Sequence, residues 1–394
     1  MKKIVPAMLA GVMSLSLVAC SSSTPAADDT AKEDETATTD EEQPTAASDV
    51  KVAMVTDYGK ITDQSFNQTT YEACKAFADA NGLEFTYKQP ATDADADRVA
   101  SIEQAIEEGY NVIVMPGYAF AAAIVETAPT YPDVKFVALD VSEYDLSEAN
   151  GGTAFKADNL FSAVYQEELA GYMAGYAAVK LGYTKLGFLG GMAVPAVQRY
   201  GYGYVQGADA AAVELGLTDV EMKYVYGGQF FGDADITAVM DTWYGAGTEV
   251  VFACGGGIYT SAAEAAAKTN AKVIGVDVDQ AAIIDGDYGA GMTVTSAMKG
   301  LAPTVRSLLT AIVEGGWDSY KGQVQTLGLV SENPEENFVQ LPASTQFEDG
   351  KFTADDYKDL VSKMFKGEIK VSNSIEAMPE TQVVKVDDQG KIKG

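Results

Sequence analysis

Short apolar runs alternate with amphipathic runs along the chain from residue 51 onward. The first strand-like runs read KVAMVT, EFTYKQ, NVIVMPG and VKFVALDV, and each of the first three is followed by a segment with helical spacing of its apolar residues. The runs are short and largely apolar without strict alternation, as is typical of strands covered on both faces. Strands that alternate with helices predict right-handed βαβ units and a parallel sheet.

A second series of the same kind follows in the later part of the chain. After EANGGTAFKAD the pattern predicts one long helix over residues 159–182. KLGFLGG, VEMKYVYG, EVVFACGG and KVIGVDVD then read as strands separated by helices, and GMTVTSAMK with a further helix precedes a mixed C-terminal stretch. Two successive series predict an α/β fold with two doubly wound lobes.

The first residues of the chain have the composition of an export signal. A positive start, MKK, precedes an apolar run shorter than the ~20 residues of a membrane-spanning helix, and LVAC ends at Cys20. A small residue before this cysteine resembles the lipobox of bacterial lipoproteins, and the alternative is an ordinary secretory signal with a chance cysteine. By that resemblance residues 1–19 are removed, and a lipid on Cys20 anchors the protein to the cell membrane on its extracytoplasmic side. The composition of residues 20–49 predicts a disordered acidic tether.

Composition narrows the range of functions. The 394 residues carry a formal charge of −30 and include no histidine. Such an acidic surface argues against binding nucleic acid, and the lack of histidine removes Ser-His and Cys-His nucleophiles. A carboxylate enzyme, for example one using Asp277 and Asp279, is a minor alternative, because no Gly-rich phosphate-binding motif follows the first strand. We expect no cofactor and no metal site, and we expect Cys74 and Cys254 to be buried free thiols.

Polar and Gly-rich residues stand at the carboxyl ends of the predicted strands. In open parallel sheets, ligands bind beyond these ends, so two facing lobes would form a ligand-lined cleft. The residues in question are Asp57, Gly117, Asp140, residues 190–192, residues 227–233, residues 254–257 and Asp277.

The segment VTDYGKITDQSFNQ gathers several candidate binding groups at the first strand end. Asp57 can accept hydrogen bonds, and Ser65 is predicted to cap the following helix. Phe66 offers a flat face on which a base can stack, and Asn67 offers both a donor and an acceptor to a ring edge. The alternative is a well-capped helix with Phe66 in the core.

An ordered set of motifs resembles the basic membrane protein family of ABC-transporter substrate-binding lipoproteins. The motifs are, in chain order, D-x-SFN within VTDYGKITDQSFNQ, GFLGGMAVP, GGQFFGDAD, FACGGG with EAAAK, IGVDVDQ and TSAMK. The resemblance implies a type I periplasmic-binding-protein fold, in which two parallel-sheet lobes are joined by a three-stranded hinge. The crossovers are expected near residues 155–160, 293–298 and 325–330. The expected lobes are residues 50–157 with 296–327, and residues 158–295 with 328–394.

The family resemblance also implies how a base is held. In the family a base lies between two aromatic rings, one from each lobe. Phe66 matches the first ring, and Phe230 or Phe231 matches the second, with Phe230 preferred. Asp140 matches a carboxylate that binds the base edge, and its alternative role is that of a turn-forming aspartate.

The sugar contacts are implied by the same resemblance. Asp277 and Lys299 match a carboxylate and a lysine that bind ribose, and Gly255 and Gly256 let the backbone approach the sugar. The alternative for Lys299 is a solvated lysine just before a helix.

The resemblance implies a monomeric receptor that binds a purine nucleoside and delivers it to an ABC permease with its ATPase. Some residues depart from the family pattern: Tyr58, Lys60 and Thr62 intrude in a run that is usually Gly-rich, and Tyr259 stands beside the sugar site. The sequence therefore leaves open which base and which sugar are bound. Another flat-ring or sugar ligand, and a signalling role, are the alternatives.

Overall fold

A computed structural model of the protein describes residues 49–57 and 59–393. The predicted leader, the predicted lipidation at Cys20 and nearly all of the predicted tether lie outside these residues. Within the described part of the chain, no helix combines the length and the apolar character needed to cross a membrane.

Strands and helices alternate through the first part of the described chain. Each strand is short, and β1 and β3 are buried along most or all of their length. The elements are β1 (Lys51–Val55), α1 (Phe66–Asn81), β2 (Glu84–Lys88), α2 (Asp95–Glu107), β3 (Val112–Pro116), α3 (Ala121–Thr130), β4 (Lys135–Leu139), α4 (Glu143–Ala149) and β5 (Leu160–Tyr165).

The alternation continues in the second part. These elements are α5 (Glu167–Lys180), β6 (Lys185–Gly190), α6 (Pro195–Glu214), β7 (Val220–Tyr226), α7 (Ala234–Gly245), β8 (Val250–Cys254), α8 (Tyr259–Thr269), β9 (Lys272–Asp277), α9 (Ala281–Tyr288), β10 (Thr293–Lys299), α10 (Leu301–Val313), β11 (Gln323–Leu327), β12 (Val339–Gln340), α11 (Ala354–Phe365) and β13 (Val384–Lys391).

The strands form two sheets. The first is parallel throughout and has the order β11-β5-β4-β3-β1-β2. The second has the order β12-β10-β9-β8-β6-β7-β13 and is parallel except for β12, which runs antiparallel to β10. We call the first sheet with its helices the first lobe and the second sheet with its helices the second lobe. The predicted α/β class with two parallel-sheet lobes is confirmed.

The predicted helix over residues 159–182 is wrong in its first part. Leu160–Tyr165 forms β5, which pairs with β4 on one side and β11 on the other, and the chain becomes helical only from Glu167. Pairing on both sides satisfies the backbone of this aromatic-rich run, so tertiary context overrides its helical spacing. By strand pairing, β5 lies in the first lobe and all of β10 in the second. The limits expected from the resemblance assign β5 to the second lobe and divide β10 at residue 296.

Three crossovers connect the lobes side by side. The chain passes from β5 to α5 at Gln166, from β10 to α10 at Gly300, and from β11 towards β12 at Gly328. The Gln166 N–H donates to the Leu327 carbonyl at 3.0 Å, the Phe338 N–H donates to Gly328 at 3.0 Å, and Gly300 donates to Phe338 at 2.7 Å. These bonds tie the three connections into one hinge.

Helices α5 and α6 of the second lobe touch through their backbones. A Cβ at Gly203 of α6 would lie 2.1 Å from the Glu168 carbonyl oxygen of α5, and a Cβ at Gly171 of α5 would lie 2.1 Å from the Tyr200 oxygen of α6. Glycine is therefore required at both positions. The contact fixes the first turn of α5, next to the hinge, against α6.

The two described cysteines are buried and unpaired, which confirms the prediction of free thiols at Cys74 and Cys254. Cys74 lies on α1 and Cys254 ends β8. They therefore lie on elements of different lobes.

Candidate ligand-binding site

The turn between β1 and α1 is held by Asp63. Its carboxylate accepts backbone N–H bonds from Ser65 at 2.9 Å, Asn67 at 2.9 Å and Gln68 at 3.0 Å. The Ser65 side chain makes no capping bond within the described residues, so the predicted cap by Ser65 is wrong. Asp63 takes the free N–H groups in its place, and a carboxylate at a helix N-terminus is also favoured by the helix dipole. Burial raises the pKa of Asp63, and the three N–H groups oppose that rise.

Ser65 contacts the opposite lobe instead. Its hydroxyl donates a hydrogen bond of 2.6 Å to Oδ2 of Asp277, the last residue of β9. Beside this bond, Nε2 of Gln280 donates to the Gln64 carbonyl oxygen at 3.0 Å. Ser65, Asp277 and Gln280 are all buried. Polar groups at the carboxyl ends of β1 and β9 therefore join the two lobes directly.

Lys299, the last residue of β10, lies among carboxylates from both lobes. Its Nζ is 2.6 Å from Oδ2 of Asp140, 3.6 Å from Oε1 of Glu167 and 3.8 Å from Oδ1 of Asp277. Asp140 follows β4 of the first lobe, and Asp277 ends β9 of the second. The structure thus brings together three of the predicted site residues, Asp140, Asp277 and Lys299, from two lobes.

Burial and mutual attraction set the protonation of this cluster. Burial raises the pKa of Asp140 to about 6, although the Lys299 ammonium opposes that rise. Burial also raises the pKa of Asp277, against the opposing effects of Lys299 and the Ser65 hydroxyl. Burial by itself lowers the pKa of Lys299, but Asp140, Asp277 and Glu167 hold it above its ordinary value. At neutral pH the contact between Lys299 and Asp140 is therefore an ion pair.

The two strand-end aspartates share an unusual backbone conformation. The φ angle is +64° at Asp140 and +65° at Asp277, in the left-handed region that few residues other than glycine adopt. Aspartate tolerates this region better than most residues, and strained backbone of this kind is concentrated at functional sites. The two lobes therefore present equivalent carboxylates at equivalent strand ends.

Several buried oxygens of the site accept no hydrogen bond from the described residues. They include Oδ1 of Asp140, Oδ1 of Asn67 and Oε1 of Glu167. The Asn67 amide nitrogen, by contrast, donates to Asp63 at 3.2 Å. Buried oxygens without donors are costly, so the site is suited to a ligand that donates hydrogen bonds through hydroxyl or amino groups.

Phe66 lies next to the charged cluster. It is the first residue of α1, it is half-buried, and its ring centroid is 4.6 Å from Nζ of Lys299. The rings of Tyr165 and Tyr200 lie somewhat farther from the same nitrogen, at 5.4 Å and 5.9 Å. Lys299 is therefore enclosed by aromatic faces as well as by carboxylates, a favourable setting for a cation.

The two adjacent phenylalanines, Phe230 and Phe231, differ in how far they are exposed to solvent. Phe230 is half-buried, and its ring lies against the strand ends of the second lobe, where a Cβ on Gly255 would be 3.0 Å from Cδ1 of the ring. Phe231 is 60 % exposed, and its backbone forms a bridge with Gly257. Of the two rings, Phe230 is the one that lies at the predicted site.

The remaining predicted residues lie in the same region. A Cβ on Gly256 would be 3.8 Å from Oδ2 of Asp63 in the opposite lobe, so this glycine lies at the contact between the lobes. Asp57 is buried at the end of β1 and accepts the Gly59 N–H at 2.6 Å. Its carboxylate also lies beside Gly117 at the end of the neighbouring strand.

Glu167 is a site residue that the sequence interpretation missed. It is the first residue of α5, its side chain is fully buried, and its Oε2 accepts a 2.7 Å hydrogen bond from Nε of Arg199 on α6. A signal was present, because LFSAVY read as a strand puts Gln-Glu-Glu at a strand's carboxyl end. That rule selected Asp57 and Asp277, but the helical spacing of residues 159–182 concealed this strand.

Comparison with known proteins identifies the family of the chain. Residues 50–387 match the Bmp family, described as ABC transporter substrate-binding protein PnrA-like. The ABC transporter nucleoside-binding protein BmpA of Lactococcus lactis subsp. cremoris is 28 % identical over 332 residues, which are 78 % of this chain and 89 % of that protein. An uncharacterized lipoprotein of Pyrococcus abyssi is 28 % identical over 295 residues, 72 % of this chain and 68 % of that protein.

Solved structures support the same architecture. A solute-binding protein of an ABC transporter system from Aeropyrum pernix K1 superposes with a TM-score of 0.65 at 22 % identity, covering 82 % of this chain and 94 % of that one. At this identity the likeness shows the fold alone. The family match extends over most of the chain and confirms the resemblance drawn from the motifs. The chain belongs to the Bmp family of PnrA-like ABC transporter substrate-binding proteins.

Proposed function

We propose that this protein binds a nucleoside with a purine base between its two lobes and delivers it to an ABC permease and its ATPase. The observation that carries the proposal is the convergence of Asp140, Lys299 and Asp277 from both lobes beside the ring of Phe66. A nucleoside combines a flat ring with a donor-rich sugar, and the site offers aromatic faces next to buried acceptors. The nucleoside-binding relative from Lactococcus lactis supports the same ligand class.

The base would be held by the aromatic rings and the first lobe. Phe66 and Phe230 stack on its two faces, each stacking contact being worth roughly 1–3 kcal/mol. Asp140 accepts hydrogen bonds from the amino and imino groups of the base edge, and Oδ1 of Asp140 is buried without a donor among the described residues. Asn67 supplies a further acceptor through its Oδ1, which is also buried without a donor among the described residues.

The ribose would be held by the second lobe and the turn that faces it. Asp277 accepts from the two vicinal hydroxyls, and Lys299 donates to a hydroxyl or ring oxygen. Gly255 and Gly256 supply backbone close to the sugar. Asp57 and Ser65 belong to this ligand-binding set on the first lobe, where Ser65 already orients Asp277 by its hydrogen bond.

The ligand class is tested by dissociation constants for adenosine, guanosine, inosine, their 3′-deoxy forms and the free bases. Loss of the 3′-hydroxyl leaves an oxygen of Asp277 without a donor, so affinity should fall by about 1–3 kcal/mol, or roughly 5- to 150-fold. Free bases should bind far more weakly than nucleosides. Equal binding of bases and nucleosides would remove the ribose role of Asp277 and Lys299. If no compound of the set binds, a thermal-shift screen over sugars and flavins tests the other ligand classes.

A pair of variants in one loop separates ligand contact from folding. Asp277→Asn keeps the shape of the side chain but replaces one acceptor by a donor, and it should weaken nucleoside binding. Asp279→Asn changes an exposed carboxylate two residues away, which holds the turn through Ala281 and Ser344, and it should leave affinity nearly unchanged. Equal losses in both variants would indicate a general disturbance of the loop.

We further propose that a lipid on Cys20 holds the protein at the extracytoplasmic face of the cell membrane. The supporting observation is the LVAC sequence at the end of a basic and then apolar leader. Mass spectrometry of the native N-terminus should find a diacylglyceryl-modified cysteine at position 20. Cys20→Ser should release the protein from the membrane fraction, and an unmodified N-terminus farther along the chain would contradict the proposal.

A further inference from the structure

Glu167 and Lys299 stand at two neighbouring crossovers between the lobes. Glu167 is the first residue of α5, directly after the crossover at Gln166, and Lys299 is the last residue of β10, directly before the crossover at Gly300. Both side chains are buried, and Oε1 of Glu167 is 3.6 Å from Nζ of Lys299. A carboxylate therefore lies beside the lysine where the lobes hinge.

The position of Glu167 is fixed from two directions. Arg199 of α6 donates a 2.7 Å hydrogen bond to its Oε2, and the attraction of Glu167 helps to keep the pKa of this half-buried arginine above its ordinary value. The helices that carry the two residues touch through their backbones at Gly203 and Gly171. The Glu167 carboxylate thus has little freedom to move, and its other oxygen, Oε1, is the one nearest Lys299.

Lys299 lies at unequal distances from its carboxylate neighbours. Asp140 lies at 2.6 Å and takes the hydrogen bond, whereas Oε1 of Glu167 lies about one ångström farther away and accepts no hydrogen bond from the described residues. An ammonium has three donors, so a small movement of Nζ satisfies Glu167 as well. Lys299 donates to Oδ2 of Asp140 and leaves Oδ1 without a donor, so a ligand with two adjacent donors, which uses both oxygens, competes with Lys299 for Oδ2. A buried ammonium that loses its partner is strongly destabilising.

We propose that Glu167, held by Arg199, is a positioning residue that receives the Lys299 ammonium when a ligand occupies Asp140. The proposal rests on the proposed function, since it assigns Asp140 and Lys299 to ligand binding. Glu167 keeps the lysine charged and paired while Asp140 turns to the ligand. Without this second acceptor, a ligand that takes both oxygens of Asp140 leaves Lys299 poorly paired, and binding weakens.

The first test compares substitutions of Glu167 with a control substitution at a second glutamate that links the same two helices. Glu167→Gln keeps size and removes charge, and it should weaken nucleoside binding about tenfold, within the range for a lost charge-assisted hydrogen bond. Glu167→Asp keeps the charge on a shorter side chain and should restore part of the affinity. The control is Glu214→Gln, because Glu214 also links α6 to α5, through Lys180 and Tyr176, away from the cluster. The control should bind as the unaltered protein does.

A double-mutant cycle shows whether Glu167 acts through Lys299. In a Lys299→Met background, Glu167→Gln should cause little further loss of affinity, because the group that it positions is gone. If the two losses simply add, or if Glu167→Gln binds like the unaltered protein, the proposal is overturned. Should Glu167→Gln fail to fold, Glu167→Asp carries the same cycle.

The same double-mutant cycle, measured by the stability of the variants, separates the failure of this inference from the failure of the proposed function. If the unaltered protein binds no nucleoside, the proposed function fails. The cycle is then measured as midpoints of chemical unfolding without added ligand. A shift in the double variant smaller than the sum of the two single shifts supports the pairing of Glu167 with Lys299, and additive shifts overturn it.

Discussion

The Ser65 hydroxyl and the Asp277 carboxylate join the two lobes by a buried hydrogen bond of 2.6 Å. Ser65 directly precedes α1 of the first lobe, but its side chain does not cap that helix within the described residues. The hydroxyl instead forms a hydrogen bond with the other lobe. Its bond also orients Asp277, a carboxylate that we assign to the ligand.

Ser65→Ala should weaken the contact between the lobes. The substitution leaves Oδ2 of Asp277 buried without this donor, which costs about 1–3 kcal/mol. The expected results are a lower unfolding midpoint and a larger radius of gyration in small-angle scattering, as the lobes separate more often. The control is Ser142→Ala, since Ser142 caps α4 within one lobe. It should lower stability slightly without changing the radius of gyration, and a Ser65→Ala protein that matches the unaltered protein in both measurements contradicts the prediction.

Asp63→Ala should destabilise the start of α1, because Asp63 is the residue that accepts the free N–H groups there. Loss of a cap costs about 0.5–2 kcal/mol. Amide hydrogen exchange should speed up in the first turn of α1, while Asp63→Asn should have a smaller effect because its amide oxygen still accepts. Faster exchange in Ser65→Ala than in Asp63→Ala would return the capping role to Ser65.

Much of the candidate site was predictable because parallel strands align their carboxyl ends. Asp140, Asp277 and Lys299 each end or follow a strand, so the strand pattern places each of them at a sheet edge. The family motifs then assign them to one cleft. The pairing of Lys299 with Asp140 could not be predicted, because it depends on how closely the two lobes approach, which no local pattern encodes.

The errors came from competition between local signals and tertiary contacts. Ser65 has the residue type and position of a helix cap, but Asp63 reaches the same N–H groups and leaves the hydroxyl to the other lobe. The segment LFSAVY has helical spacing when joined to α5, but two neighbouring strands pair with it. That error concealed Glu167, whose importance depends on the strand that precedes it.

Phe230→Ala should weaken nucleoside binding, whereas Phe231→Ala should change it little. Loss of one stacking face costs at least ~1 kcal/mol, or about fivefold in affinity. Phe231 is 60 % exposed and serves as the matched control one position away. Calorimetric titration of both variants with the tightest nucleoside decides between them. A larger loss in Phe231→Ala would mean that the ring turned to solvent here is the one that reaches the base.

Glu168 should make the stability of the protein depend on pH. It is the second residue of α5, only 3 % exposed, and its Oε2 accepts no hydrogen bond from the described part of the chain. Burial raises its pKa from 4.5 to about 7, and the neighbouring Glu167 adds to the rise. Between these two pKa values the folded protein holds a proton that the unfolded chain releases. Stability therefore falls as pH rises through this window.

Glu168→Gln tests this pH dependence of stability, because the substitution keeps the shape of the side chain and removes the charge. Above about pH 7 the variant should be more stable than the unaltered protein by up to about 3 kcal/mol, since one pKa unit corresponds to about 1.4 kcal/mol. The difference should shrink towards zero as the pH falls below 4.5, where the carboxyl becomes protonated in both states. Chemical denaturation across this range gives the measurement, with the exposed Glu126→Gln on α3 as a control that should show no such trend. A stability difference for Glu168→Gln that is constant with pH would mean that Glu168 is not protonated on folding.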